Sequence, residues 1–319
     1  MKSLFKYAFS ASIAWRDNDG EGAPMSVGYQ RIRRRYWKIR RMLRDRREPR
    51  KKRITAYIGD RTFLATTAFD AYIYLDCEDT CLTPSIIQQG KWQPSLTGFL
   101  ERELRRCDHF VDVGANCGYF SLLGAKRVGW GGAVVAFEPQ KRFAKLAQRS
   151  FDANFYNHAV LLQHALGEAE GECELRSFGT NLGATSLITG LGGESTGETA
   201  RVRTLDDAIE DASRTLGKPL TPTVMKVDIE GYEPHMWRGM RKTLAAPELR
   251  LIVIEYSPRH YEAQGLDPDA FLDEIRSAGF NIAYLDSSSI ELPLSHPTYE
   301  EALATWGQAE LVLRKRNAA

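Results

Sequence analysis

The sequence predicts an α/β fold whose core begins near residue 108. Three observations carry that reading. From His109 onward, short, mostly apolar runs alternate with segments of helical length. Those runs are apolar on both alternating faces, as strands of a parallel sheet covered by helices on each side must be. The first run, HFVDV, leads into a loop holding Gly114 and Gly118 that opens a helix.

The elements follow in order. ITAYI from Ile54, then Gly59-Asp60, then TFLAT read as a β-hairpin. AYIYL (71–75) is a third strand. Pro84, Gly90 and Pro94 punctuate 82–100, and a helix then leads to Arg106. Residues 54–107 thus form an N-terminal cap. In the core (108–319), HFVDV (109–113) precedes a helix at Tyr119–Val128. AVVAFE (133–138) precedes a helix at Lys141–Phe155, and AVLLQHAL (159–166) is a third core strand. ECELRSF (172–178) and ARVRTL (200–205) form a β-excursion. TVMKVDI (223–229) is the fourth core strand, followed by a helix at Tyr232–Leu244. LRLIVIEY (249–256) is the fifth. A helix at Pro268–Ala278 stops at Gly279, and FNIAYL (280–285) and AELVLRK (309–315) are the last strands.

The composition is that of a globular protein, with 43% hydrophobic and 26% charged residues. The net charge of +2 hides an asymmetry: residues 1–53 hold 17 Lys/Arg against 5 Asp/Glu, while the rest is acidic. Such an arm has its own partner or is a solvated tail. Within it, Ile32, Tyr36, Ile39 and Leu43 recur at helical spacing among 14 Lys/Arg, the pattern of a basic amphipathic helix suited to an anionic membrane surface. The acidic remainder argues against nucleic acid as substrate, because phosphates call for a basic face. Five irregularly spaced cysteines (Cys77, Cys81, Cys107, Cys117, Cys173) suit reduced thiols, not a zinc site. The sequence shows neither a spanning-length apolar run nor a convincing signal peptide, and Met25 is an alternative start to Met1. A cytoplasmic protein with peripheral membrane contact is expected.

The loop Asp112-Val113-Gly114-Ala115-Asn116-Cys117-Gly118-Tyr119 is the first chemical signal. In open α/β sheets the ligand lies at the carboxyl ends of the strands, above this loop. Twenty residues past Gly118 stands Glu138, where an acid grips a ribose diol. A dinucleotide fingerprint needs glycines where this chain has Asn116 and Tyr119. A carboxylate at Asp112 would repel a pyrophosphate but complements the ammonium and sulfonium of S-adenosylmethionine. The pattern favours that methyl donor over a dinucleotide.

The second signal is Lys226-Val227-Asp228-Ile229-Glu230. Alternation places Lys226, Asp228 and Glu230 on one face of a strand meant for burial, where ionisable groups are costly unless paired or used. They form either a catalytic cluster or a structural network shaping the pocket. His235, five residues past Glu230, could relay a proton. No Ser-His-Asp pattern, P-loop or H-E-x-x-H occurs.

Several stretches resemble the FkbM family of methyltransferases: FVDVGANCGYFSLL (110–123), VVAFEPQ (134–140), HALGE (164–168), GATSL (183–187), VRTLDDAI (202–209), VMKVDIEGYE (224–233) and LIVIEYSP (251–258). LTPSIIQQGKW (82–92) resembles the family's front cap, and KVDIEG is the most family-specific piece. The resemblance spans about residues 70–315 and leaves the arm without a counterpart. It implies a class I methyltransferase Rossmann-like fold: a seven-stranded, mostly parallel sheet with the last strand antiparallel. It implies Asp112, Gly114, Asn116, Gly118, Glu138, Pro139 and Ala165 as donor-binding positions, and Asp228 and Glu230 as motif positions. Several members carry Glu where this chain has Gln93. The implied reaction is methyl transfer to a hydroxyl of a sugar, glycan or polyketide-type small molecule.

In that reaction a nearby base takes the hydroxyl proton, with Asp228 the first candidate, then Glu230, then His235. No metal is expected, since Lys226 can neutralise a carboxylate. The alternatives are an N-methyltransferase of the same fold and a non-catalytic donor-binding module. Oligomeric state is open.

Overall fold

The computed structural model describes residues 53–177, 185–186 and 194–316. The basic helix expected at 31–53 and most of the GATSL stretch lie outside the described residues. Three strands, β1 (Thr55–Tyr57), β2 (Thr62–Thr66) and β3 (Tyr72–Asp76), form an antiparallel sheet in that order. Helices α1 (Leu82–Gln89) and α2 (Pro94–Glu103) follow. The cap therefore holds two helices where the sequence suggested one. Gly90 ends α1 in a left-handed conformation, and Pro94 opens α2.

The core strands are β4 (His109–Val113), β5 (Ala133–Phe137), β6 (Ala159–Leu162), β11 (Val224–Val227), β12 (Leu251–Tyr256), β13 (Phe280–Leu285), β14 (Glu291–Leu292) and β15 (Ala309–Lys315). They make one sheet, ordered β14-β13-β15-β12-β11-β4-β5-β6. The segment from β12 through β6 is parallel, and β15 runs antiparallel to both neighbours. The two-residue β14 adds an eighth strand at the edge.

Every residue of β5, β11 and β12 is buried, as strands covered on both faces require. Alternate residues serve opposite faces. Val111, Val113, Met225, Val227, Ile252 and Ile254 pack on one side. Phe110, Val134, Ala136, Val224, Leu251 and Val253 pack on the other, with side chains of α1, α2, α3 (Tyr119–Val128) and α4 (Lys141–Ala153). The cap thus shares a core with the face that carries Asp112 and Lys226. Each buried Val or Leu on that face contributes about 1.5–3 kcal/mol, whereas a buried ion pair often adds nothing net. Stability alone does not account for the charges there.

Four further expectations need correction. AVLLQHAL is not one strand: β6 pairs with β5, while β7 (Ala165–Leu166) joins a second sheet, β7-β10-β8-β9. That sheet holds β8 (Gly171–Ser177), β9 (Thr185–Ser186) and β10 (Glu194–Arg203). Leu205 does not end a strand; it opens helix α5 (Leu205–Leu216), capped by the Thr204 hydroxyl accepting from the Asp207 N–H. The signal was present, since Leu205, Ala208, Ile209 and Ala212 follow helical spacing. The helix at 232–244 is two, α6 (Glu233–Arg238) and α7 (Arg241–Ala245). They break near Gly239, where a Cβ would lie 2.0 Å from the Gly167 carbonyl oxygen. Finally, β11 ends at Val227, so Asp228 and Glu230 stand beyond the strand and strand alternation does not align them with Lys226. Three more helices complete the core: α8 (Pro258–Glu262), α9 (Pro268–Ser277) and α10 (Pro297–Trp306).

Candidate active site

The loop after β4 is tied to its neighbours on both sides. The N–H groups of Gly114 and Ala115 donate to the Phe137 carbonyl of β5 at 3.0 and 2.9 Å. Gly114 has φ +74°, and a Cβ there would sit 1.8 Å from the Asp228 carbonyl oxygen. Only glycine fits so close a backbone crossing. Asn116 is also left-handed, and its side-chain oxygen accepts from the Cys117 N–H at 2.7 Å. Gly118, with φ +87°, turns the chain into α3 over Ala147.

Glu138 follows β5 directly. One of its oxygens accepts from the Asn116 N–H at 2.8 Å and the other from the Gln140 N–H at 2.9 Å. Burial pushes its carboxyl up to about 7 against those two bonds. It lines a cavity at the carboxyl edge of β4, β5 and β11, together with Gly114, Asn116, Pro139 and Ala165. Each oxygen keeps a lone pair for a diol.

Asp112 and Gly118 do not line this cavity. Asp112 is fully buried. Its Oδ2 accepts from the Ser121 hydroxyl at 2.5 Å, and its Oδ1 lies 3.6 Å from the Lys226 ammonium. The two residues are register partners on β4 and β11, which sets them side by side. Burial raises the Asp112 carboxyl, and Lys226 opposes that rise.

Lys226 is buried yet reaches the cavity. Its ammonium donates to the Gly114 carbonyl at 2.9 Å and stands 3.3 Å from Asp228. Burial opposes its charge, but Asp228, Asp112 and Glu310 together hold it above the usual lysine range. Asp228 and Glu230 line the same cavity, Glu230 on a left-handed residue of φ +55°. Burial, Asp228 and Glu233 push Glu230 up to about 8. Behind them, Glu255 and Glu310 are register partners on β12 and β15. Burial raises both, Glu310 to about 8. Glu233 is pushed by burial to about 7 while its oxygens accept from the N–H groups of Ile229 and Gly231 and from the Tyr261 hydroxyl. One lysine thus faces Asp228 and, around it, four glutamates that burial pushes toward their neutral forms.

His235 is not brought to the cavity. Its ring stacks on Tyr232 at 4.4 Å and its Nε2 meets Gln264 at 3.2 Å. Burial lowers its affinity for a proton. Among the described residues, no three His, Cys, Asp or Glu side chains converge as a metal site. Sequence reasoning missed the cap's contribution to the lining: Asp79, Cys81, Leu82 and Trp92, with Tyr119, Gln140 and His164 elsewhere. The LTPSIIQQGKW stretch flagged the segment, but no spacing rule placed it over a loop some 30 residues on (roughly, by sequence distance).

A mostly parallel sheet with a glycine-bearing loop after its first core strand, and a buried acid at the end of the next, is the arrangement in which open α/β sheets hold nucleoside ligands. The chain belongs to the FkbM family of S-adenosylmethionine-dependent methyltransferases: the family model described as Methyltransferase FkbM domain matches residues 112–282, more than half of the chain. Solved structures give distant likenesses. An O-methyltransferase from Bacillus cereus in complex with S-adenosylhomocysteine is 13% identical, with a TM-score of 0.40, over 70% of this chain and 80% of that one. The O-methyltransferase TomG from Streptomyces achromogenes, involved in tomaymycin synthesis and bound to S-adenosylmethionine, gives 13%, 0.39, 70% and 80%. An S-adenosylmethionine-dependent O-methyltransferase from Thermotoga maritima gives 12%, 0.38, 84% and 86%. No curated protein matches.

The residues present fit the methyl donor. Gly114 and Asn116 bring loop backbone to the cavity wall, Glu138 offers acceptors to a ribose diol, and the cavity mixes apolar and charged walls. No helix of the described residues is long and apolar enough to cross a membrane.

Proposed function

We propose that the chain methylates a hydroxyl of a sugar, glycan or polyketide-type small molecule, with Asp228 as the base. The observation that carries this reading is the place of Asp228. It lines the donor cavity, its backbone carbonyl packs on Gly114, and its side chain is 19% exposed, open enough to meet an acceptor. S-adenosylmethionine supplies an electrophilic methyl carbon on a sulfonium. The chain's part is to hold the acceptor oxygen in line with that carbon and to take its proton onto the Asp228 carboxylate. Lys226 orients Asp228 from 3.3 Å and supplies positive charge without a metal. Glu230, raised to about 8, is the second candidate base. The basic arm would place the enzyme on an anionic membrane surface, and salt-dependent sedimentation with anionic vesicles tests that.

Single-turnover methylation tests the base, on an acceptor found by donor-dependent labelling of extract from a deletion strain. Asp228→Asn should bind donor nearly normally while turnover falls at least ~100-fold, and EDTA should leave the wild-type rate unchanged. Near-wild-type rates in Asp228→Asn, Glu230→Gln and His235→Ala alike would refute acid–base catalysis by this cluster.

A further inference from the structure

We infer that Asp79, a residue of the cap, receives the ammonium of the donor's amino-acid end. The inference rests on the donor occupying the cavity above the Gly114 loop. Sequence order suggested Asp112 for this role, but Asp112 is fully buried beneath the loop and already held by Ser121 and Lys226.

The cavity lining holds two unlike kinds of group. Phe137, Pro139, Ala165 and Leu166 are apolar and suit a flat purine. Asp79, Lys226, Asp228 and Glu230 are ionisable and suit a zwitterion. With the ribose at Glu138, the amino-acid end belongs among the ionisable groups.

Among them, Asp228 is already 3.3 Å from the Lys226 ammonium, so a second ammonium there would crowd two cations, and burial with Asp228 and Glu233 pushes Glu230 up to about 8, toward its neutral form. Asp79 is only 4% exposed, yet it lines the cavity. Its oxygens accept from the N–H groups of Cys81 at 3.1 Å and Thr83 at 2.5 Å. Among the described residues no Lys or Arg is paired with it, although a buried carboxylate without a counter-charge is costly. Each oxygen keeps a lone pair that a cation could use. Asp79 and Glu138 both act on the Cys117 thiol of the donor loop, adding to the rise that burial imposes, so the cap carboxylate stands close to that loop. The plainer role is to cap α1 and nothing more.

Two ligands separate these roles. S-adenosylhomocysteine carries the amino-acid end, whereas methylthioadenosine has the same nucleoside and sulfur without it. Calorimetry on the full chain should show Asp79→Asn weakening S-adenosylhomocysteine roughly tenfold or more, the scale of a lost charged hydrogen bond, with methylthioadenosine within about twofold of wild type. The methylthioadenosine arm also reports whether the variant is folded. Equal weakening of both ligands would reduce Asp79 to a helix cap and overturn the inference. Unchanged S-adenosylhomocysteine affinity, or a loss of preference in Asp228→Asn instead, would overturn it too. If the wild type binds neither ligand, the donor cavity itself is misassigned.

Discussion

Asp112 stands on β4, and Glu138 comes directly after the neighbouring parallel strand β5. Asp112 pairs in register with Ala136, so Glu138 lies two residues further toward the carboxyl edge. At about 3.3 Å per residue, that is roughly 7 Å along the strand. The small difference in depth separates their roles. Glu138 opens onto the cavity with both oxygens oriented by backbone N–H groups, whereas Asp112 is walled into the core and answered by Lys226. A carboxylate just past the last strand residue can serve a ligand; one residue short of the end, it must be neutralised by the protein.

The comparison can be broken from the Asp112 side first. Lys226→Met would leave Asp112 buried without its cation and should cost about 3–5 kcal/mol in denaturant unfolding. Lys226→Met with Asp112→Asn should recover much of that loss. If the single variant is as stable as wild type, the pair does not sustain the buried charge. Gly114→Ala should cost about 3 kcal/mol or more, since its methyl would overlap the Asp228 carbonyl at a strained φ. Gly171→Ala, where no atom lies within 4 Å of the added carbon, is the control and should unfold near the wild-type midpoint.

A smaller effect follows from the acid row. Burial pushes Glu138 and Glu233 up to about 7, and Glu230 and Glu310 up to about 8, against an ordinary 4.5. Between those values the folded chain holds protons that the unfolded chain has released, so stability falls as pH rises. His109, His164, His235 and His260, lowered by burial, act oppositely but only up to the ordinary histidine value of 6.5. The melting temperature of the ligand-free chain should therefore decline from about pH 6.5 to 8.5. A steady rise over that interval would mean the row is ionised at neutral pH.

The sequence revealed strands better than depths. HFVDV, FNIAYL and AELVLRK coincide with β4, β13 and β15 because each is an apolar-rich run bounded by turn chemistry, although β13 is buried only at its two ends. The loop from Gly114 to Gly118 was legible for a related reason: its glycines mark turns whatever the tertiary context. Asp228 and Glu230 were found by residue type, though the reason given, alternation along a strand, failed when β11 ended at Val227. Asp112 lies deeper than its sequence position suggested, because nothing local says how far a strand end projects. Asp79 was invisible for the same reason in reverse: its turn before α1 meets the donor loop only through packing of the cap.

The central claim is that Glu138 grips the donor at the carboxyl edge of β5, and calorimetry with S-adenosylhomocysteine tests it most directly. Glu138→Ala should weaken binding by about 1.5–3 kcal/mol, the range for a hydrogen bond to a charged group, while the variant stays folded. Wild-type affinity in Glu138→Ala would contradict the account and move the donor out of this cavity.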